Sequence, residues 1–503
     1  MRRKKVVYNA VAGLSLQLVM IIYGFVFPRL VMSVYGSSVN GLLQSISQFL
    51  SYITLLDAGV SAVIRAKLYK PLANQDKNKT QKIVNSARKF YKKIAISFMI
   101  YMFVVAIILP ITYSTYFDKL YTFSLVIIIG ISTFAEYYFG ISYIVLLEAD
   151  QRKYISYCIQ IISVILNIIA SVLLINGGLS IHIVKLCTAV LFVSKPIILS
   201  QYCARKYGFS KQFKEQEPID NKWSGLGHHI AYFLHSHTDI VILTFVKGPI
   251  LVSVYSVYYM IVSALQQIIF YISGGVEAAF GNMIAKKEDE SLSRGLCIYE
   301  LLIFSLSSVF FSTAAVSIFQ FVKIYTQGIT DVDYIIPVAG IVLIIAEFIY
   351  CVRKPYEAVV MAAGKLKETM RGAFIEAGIN ILLSVILVWR FGILGVVSAT
   401  LAAMLFRTIQ YVVYVSKNIV KRSIGVFFKH VLVFGISSLI IYFLGKNICL
   451  ESNTYFSWAI WASLIFLLSC VFIVIVDSVF YHNEFIDILK MFFSIFKKNE
   501  SKG

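Results

Sequence analysis

About fourteen apolar runs, each long enough to cross a lipid bilayer as a helix, follow one another along the chain. They lie near residues 6–34, 38–64, 92–115, 120–147, 154–176, 180–203, 223–247, 250–283, 294–324, 333–362, 369–389, 394–415, 426–445 and 455–480. Barrel strands are excluded, because the runs are too long and lack the apolar–polar alternation that a barrel wall needs. A water-soluble core is excluded too. Of the 503 residues, 59% are hydrophobic and 14% charged, whereas a soluble domain is nearer half apolar and a quarter charged. The sequence therefore predicts an all-α polytopic membrane protein with about fourteen transmembrane helices.

The connections assign sides. Spanning proteins concentrate Lys and Arg in cytoplasmic loops. Every second connection here is basic: residues 65–93, Arg152-Lys153, 205–222, Lys286-Lys287 with Arg294, 365–371 and 417–429. The intervening connections hold Lys119, Lys247, Arg390 and Lys446. The alternation never inverts, so the sequence predicts a multi-pass protein with cytoplasmic N- and C-termini, its tail adding Lys490, Lys497, Lys498 and Lys502. The net charge of +20 is thus a topology signal directed at anionic membrane lipids, and no nucleic-acid partner is expected. Residues 2–5 are basic and precede an apolar stretch too long for a signal peptide, which predicts a retained first span. Connection 65–92 is expected to lie on the lipid surface as an amphipathic helix. The seven cysteines have no CxxC spacing, so neither a disulfide nor a metal site is expected.

The chain also repeats itself. Residues 176–192 align without gaps to 390–406, and Asn167-Ile-Ile-Ala-Ser-Val to Asn380-Ile-Leu-Leu-Ser-Val, an offset of about 214 residues. This maps the fifth and sixth runs onto the eleventh and twelfth. The predicted plan is two six-helix lobes in a pseudo-two-fold repeat plus two C-terminal helices: 1–210, a cytoplasmic linker 211–222, 223–420, and 421–503. Two such lobes can rock about a central cavity.

An ionisable side chain within a span is costly and normally faces protein or a water-filled cavity. In the seventh run, His228, Tyr232, His235 and Asp239 recur on one helical face. They form either a cation- or proton-coupling face or a structural hydrogen-bonded stripe. In the tenth run, Glu347 and Lys354 share a face, as do Arg353 and Glu357, around a kink expected at Pro355. That cluster is either a buried ion pair or an anion-binding, gating element. The candidate cations for gripping an anionic cargo are Arg29, Lys195, Arg353, Lys354 and Arg407; the candidates for coupling or gating are Asp57, His235, Asp239, Glu277, Glu347 and Glu357. No catalytic residue and no resident cofactor are expected.

Several short motifs carry a resemblance. They are Leu55-Leu-Asp-Ala-Gly59, Asp239-Ile-Val-Ile-Leu243, Val254-Tyr-Ser256, Ala363-Gly-Lys365, Asn380-Ile-Leu-Leu-Ser384 and Gly392-Ile-Leu-Gly395-Val. In this order and spacing, on a six-plus-six-plus-two plan, the whole chain resembles the polysaccharide transporters of the multidrug/oligosaccharidyl-lipid/polysaccharide exporter superfamily, in particular Wzx-type oligosaccharide flippases. The resemblance implies a rocker-switch carrier in the bacterial cytoplasmic (inner) membrane. Its cargo would be an undecaprenyl-pyrophosphate-linked oligosaccharide for O-antigen lipopolysaccharide, capsule or exopolysaccharide. It also implies coupling to an H+ or Na+ gradient and a polymerase and other polysaccharide-assembly proteins as partners. The competing readings are a cell-wall lipid-precursor flippase or a multidrug exporter of the same superfamily, the latter usually with twelve spans. A membrane enzyme such as a polysaccharide polymerase is disfavoured, because the outer connections are short and offer only Asp118, Asp331 and Asp333 as acids.

Overall fold

The computed structural model describes residues 2–57, 59–210, 213, 215–218, 238–272, 276–448 and 454–490. Helices account for nearly all of them, and there is no strand among the described residues. Contacts divide the chain into two compact units, Met1–Ser256 with Ile329–Val332, and Val257–Gly328 with Asp333–Gly503.

In the first unit, α1 (Arg2–Tyr35) is followed by α2 (Ser37–Ser51), the short α3 (Thr54–Asp57), α4 (Val60–Ala73), α5 (Lys77–Thr112) and α6 (Lys119–Ala135). A single π-helical turn, Glu136–Gly140, joins α6 to α7 (Ile141–Ala149); α8 (Lys153–Asn176), α9 (Ile181–Tyr207) and α10 (238–246) follow. The next helix, α11 (Pro249–Ile272), begins in the first unit and ends in the second. The second unit continues with α12 (Val276–Ala285), α13 (Asp289–Tyr325), α14 (Pro337–Val352), α15 (Lys354–Ala362), α16 (Leu366–Phe391), α17 (Ile393–Asn418), α18 (Gly425–Asn447), α19 (Tyr455–Phe480) and α20 (482–490).

Among the described residues, eleven helices are long and apolar enough to cross a membrane, and the bent α2–α4 pair makes a twelfth. Two of the fourteen runs remain. The seventh lies largely outside the described residues, and the tenth is broken at Arg353 into pieces of 16 and 9 residues. Exposure fits a lipid solvent. Ile96, Ile100, Ile107 and Ile111 lie bare along one stripe of α5, while Phe98, Met102, Val105 and Leu109 on the opposite stripe are buried in the unit's core.

Each helix pair of the internal repeat carries an asparagine–threonine hydrogen bond, although the gapless alignment puts Ala402, not Thr400, opposite Thr188. In the first, the Thr188 hydroxyl donates to Asn167 Oδ1 at 2.8 Å; in the second, Asn380 Nδ2 donates to Thr400 Oγ1 at 2.8 Å. The gapless alignment also superposes Gly178 on Gly392. Both have positive φ, 72° and 56°, at the tight turn joining the paired helices, a backbone state that an L side chain rarely adopts.

One expectation is corrected. Residues 77–92 do not lie on the membrane as a separate helix, because α5 runs unbroken over 36 residues. At 1.5 Å per residue it is about 54 Å long, against a hydrocarbon core of about 30 Å, so its first turns project beyond the bilayer. Thr80, Gln81, Ile83, Val84 and Ala87 are buried there. The segment after α9 docks on this projection: Gln81 Nε2 donates to the Ser210 carbonyl, Asn85 Nδ2 to the Phe213 carbonyl, and the Glu217 amide to Ser86 Oγ. The helix is amphipathic because it packs against its own chain, a burial that has the same sequence signature as lying on lipid.

Candidate functional site

Sequence points to the tenth run, and there the second unit gathers its buried charge. The span breaks at Arg353, two residues before Pro355, which cannot continue the hydrogen-bond ladder. The break turns Arg353 toward α16, where its Nη1 donates to Glu376 Oε1 at 2.6 Å. Arg407 of α17 approaches the other oxygen of Glu376, Nε to Oε2 at 3.6 Å. Its Nη1 donates to the Thr369 carbonyl at 2.7 Å and to Gln410 Oε1, and its Nη2 to the Tyr411 hydroxyl at 2.8 Å. All three charged side chains are about 95% buried or more. Two guanidiniums share one carboxylate, so one positive charge remains. Gly372 makes room for this arrangement, since a Cβ there would lie 1.7 Å from Gln410 Oε1. Aromatic faces complete the walls: the Arg353 guanidinium lies 4.3 Å from the Tyr350 ring centre and that of Arg407 4.2 Å from Tyr411.

Beside this triad, Lys354 Nζ donates to Glu357 Oε2 at 2.8 Å and lies 4.5 Å from the Phe270 ring centre. The pairing read from sequence is therefore corrected. Arg353 pairs with Glu376 and Lys354 with Glu357, because the face-sharing of 347 with 354 and of 353 with 357 assumes an unbroken helix. Glu347 is buried on α14.

The first unit disperses its candidates. Lys195 Nζ contacts Glu136 Oε1 at 2.9 Å, at the π-helical turn, where Gly140 lets α6–α7 press on Pro196. Asp57, at the break between α3 and α4, accepts bonds from Ser61 Oγ at 2.8 Å and the Tyr91 hydroxyl at 3.1 Å; the chain bends by 46° there, with Gly59 at φ 88°. Buried Asp239 accepts from the Tyr255 hydroxyl at 2.8 Å. Arg29 is half-buried on α1, and Glu277, on α12 of the second unit, is exposed. His228, Tyr232 and His235 lie outside the described residues. Of the candidate cations, Lys195, Arg353, Lys354 and Arg407 thus have carboxylate partners.

Three groups were not singled out as site residues by the sequence. Glu376 is the hub of the triad. Glu148 and Asp150 gather Lys5, Arg65, Lys153 and the Tyr207 hydroxyl at the basic end of the first unit. Arg422, counted only as a loop charge, pairs with fully buried Glu300 and approaches the Tyr356 hydroxyl at 3.3 Å. Burial opposes its charge, but the bond to Glu300 and that carboxylate's attraction outweigh it, holding the guanidinium above its usual range.

The chain is thus all-helical and multi-pass, with ion pairs buried among its membrane-spanning helices. Solved structures share this architecture. The chain resembles "Lipid II flippase MurJ, inward closed conformation" with a TM-score of 0.71 and 14% identity, over 95% of this chain and 99% of that one. It resembles an inward-facing multidrug resistance MATE family transporter of the MOP superfamily with a TM-score of 0.59 and 13% identity, over 81% and 98%. A MOP superfamily transporter from Pyrococcus furiosus gives a TM-score of 0.55 and 11% identity, over 84% and 97%. The chain has the fold of these transporters. No protein-family model matches the sequence, and no curated protein does.

Proposed function

We propose that this protein is a flippase that carries an undecaprenyl-pyrophosphate-linked oligosaccharide across the bacterial cytoplasmic membrane by alternating access, supplying surface-polysaccharide assembly. The observation that carries the reading is the likeness to a lipid II flippase over 95% of this chain and 99% of that one, against 81% of this chain for the MATE transporter. A cargo with a lipid tail and a diphosphate suits a helical carrier that buries two guanidiniums around one carboxylate in its second unit. Arg353 is the natural donor, since its Nε is buried without a hydrogen-bond partner whereas Arg407 spends both Nη groups on protein acceptors. Both termini would be cytoplasmic, and a polymerase on the outer face would receive the cargo. Asp57, Asp239, Glu347 and Glu357 are the carboxylates through which an H+ or Na+ gradient would act. Carriage of this kind needs neither a resident cofactor nor a catalytic residue.

Deletion of the gene followed by analysis of the lipid carrier tests this. Completed lipid-linked repeats should accumulate facing the cytoplasm. Unpolymerised repeats reaching the outer face would point to a polymerase and overturn the proposal. The lipid II flippase likeness also favours a second reading, a cell-wall lipid-precursor flippase. Rescue of a strain depleted of its own lipid II flippase would select it.

A further inference from the structure

Where α19 packs on α13, two close contacts converge on one hydroxyl. Ser305 Oγ lies 2.8 Å from the Leu301 carbonyl oxygen of its own helix and 2.8 Å from Asp477 Oδ2. A serine hydroxyl has a single proton to donate. A carbonyl has none, so both contacts are full two-centre hydrogen bonds when the carboxyl group brings a proton of its own, and otherwise share one proton between two acceptors. Asp477 is 5% exposed and lies within a membrane-spanning helix, and its Oδ1 is buried with no hydrogen-bond partner. As an anion it would also lack a cation, since no Lys or Arg pairs with it among the described residues, and such a buried charge is costly.

The groups around it leave that balance in place. From α13, Glu300 is occupied by Arg422, which also contacts Cys297 and the Tyr356 hydroxyl. From α18, His430 donates through Nδ1–H to the Val426 carbonyl and stacks on the Tyr481 ring at 4.7 Å. Lys429 places its Nζ 4.6 Å from the same ring and 3.4 Å from the Phe480 carbonyl. The Tyr481 hydroxyl is buried without a hydrogen-bond partner, and Glu484 follows on α20.

We propose that Asp477 is a proton-binding site: as the neutral acid it donates to Ser305 Oγ, Ser305 donates to the Leu301 carbonyl, and this chain fastens α19 to α13. Losing the proton leaves one hydroxyl proton between two acceptors and an unpaired anion in the seam. The α13–α19 contact then loosens. The ligand is a proton, and the carboxyl group that takes it belongs to α19, while its hydrogen-bond partners belong to α13. It does not depend on the cargo.

Infrared difference spectra of the full-length protein in lipid nanodiscs provide the test. Wild type at neutral pH should show the carbonyl stretch of a protonated carboxylic acid, D477N should lose it, and S305A should keep it at a shifted position. Identical spectra for wild type and D477N overturn the proposal. Should D477N fail to fold, an unshifted carboxylic band in S305A overturns it instead. Hydrogen–deuterium exchange of residues 465–480 reads the fastening. As pH rises, the wild-type rate divided by the D477N rate should increase several-fold, because the amide variant has no proton to lose. A flat ratio refutes the coupling of proton to packing. Neither measurement requires transport, so failure here and failure of the flippase reading remain separate.

Discussion

Glu376 is where the chemistry of the second unit is most exposed to a single substitution. Its two oxygens face two buried guanidiniums. Replacing it by Gln would leave both cations without their anion, and removing one partner of a buried ion pair destabilises by about 3–5 kcal/mol. E376Q should therefore unfold at clearly lower temperature in detergent, whereas K365A, which breaks only an exposed pair with Glu368, should leave the melting temperature nearly unchanged. Arg353 and Arg407 should separate in a different experiment. R353K keeps the charge but loses the planar fork, and should lower glycan export with the fold intact. R407K should lower stability, because Arg407 bonds to Thr369, Gln410 and Tyr411. Equal melting of the two variants would remove this division of labour. The residue scale is also where sequence reading was weakest. Glu376 lies 23 residues from Arg353 across a turn, and no spacing rule links them. The mispairing of residues 347–357 came from carrying a helical period through a break. Arg422 resembled its loop neighbours, and only the fold brings Glu300 to it.

At the scale of elements the sequence was far more informative, because lipid imposes a length on every helix and forbids unsatisfied backbone within it. The apolar runs locate the helices, and the repeat locates the two matching pairs. What the pattern missed was continuity: the break at Gly59 and the overshoot of α5, whereas the kink expected at Pro355 falls two residues from the break at Arg353. Those features depend on packing partners rather than on hydropathy. The twin turns give a direct test. Alanine at Gly178 meets open space and is penalised only for its positive φ, about 1–2 kcal/mol. Gly392 combines φ 56° with ψ −129°, and G392A should cost more. Thermal melts in detergent would rank them. G41A should be worse than either, since its Cβ would fall 1.7 Å from the Pro249 carbonyl and force α2 off α11.

For the molecule as a whole, α18 and α19 form a module packed against α13, with Trp458 Nε1 donating to the Ser317 carbonyl at 3.1 Å and Ser469 near Thr313. Expressing residues 1–420 alone should bare the α13 face around Phe304, Phe311 and Ile318, and the product should fail to accumulate in membranes. Supplying 421–503 as a separate chain should restore it, and normal accumulation of the truncated chain would contradict that. The projecting helix α5 has its own consequence at this scale. A rigid rod held by the bilayer along only part of its length works as a pointer. When the embedded portion leans by a few degrees, its free tip near Lys79 sweeps farther than any atom inside the membrane. Ser210 and Glu217, tied there, travel with it, so small rearrangements in the first unit are magnified in the aqueous phase, where a spectroscopic label can follow them.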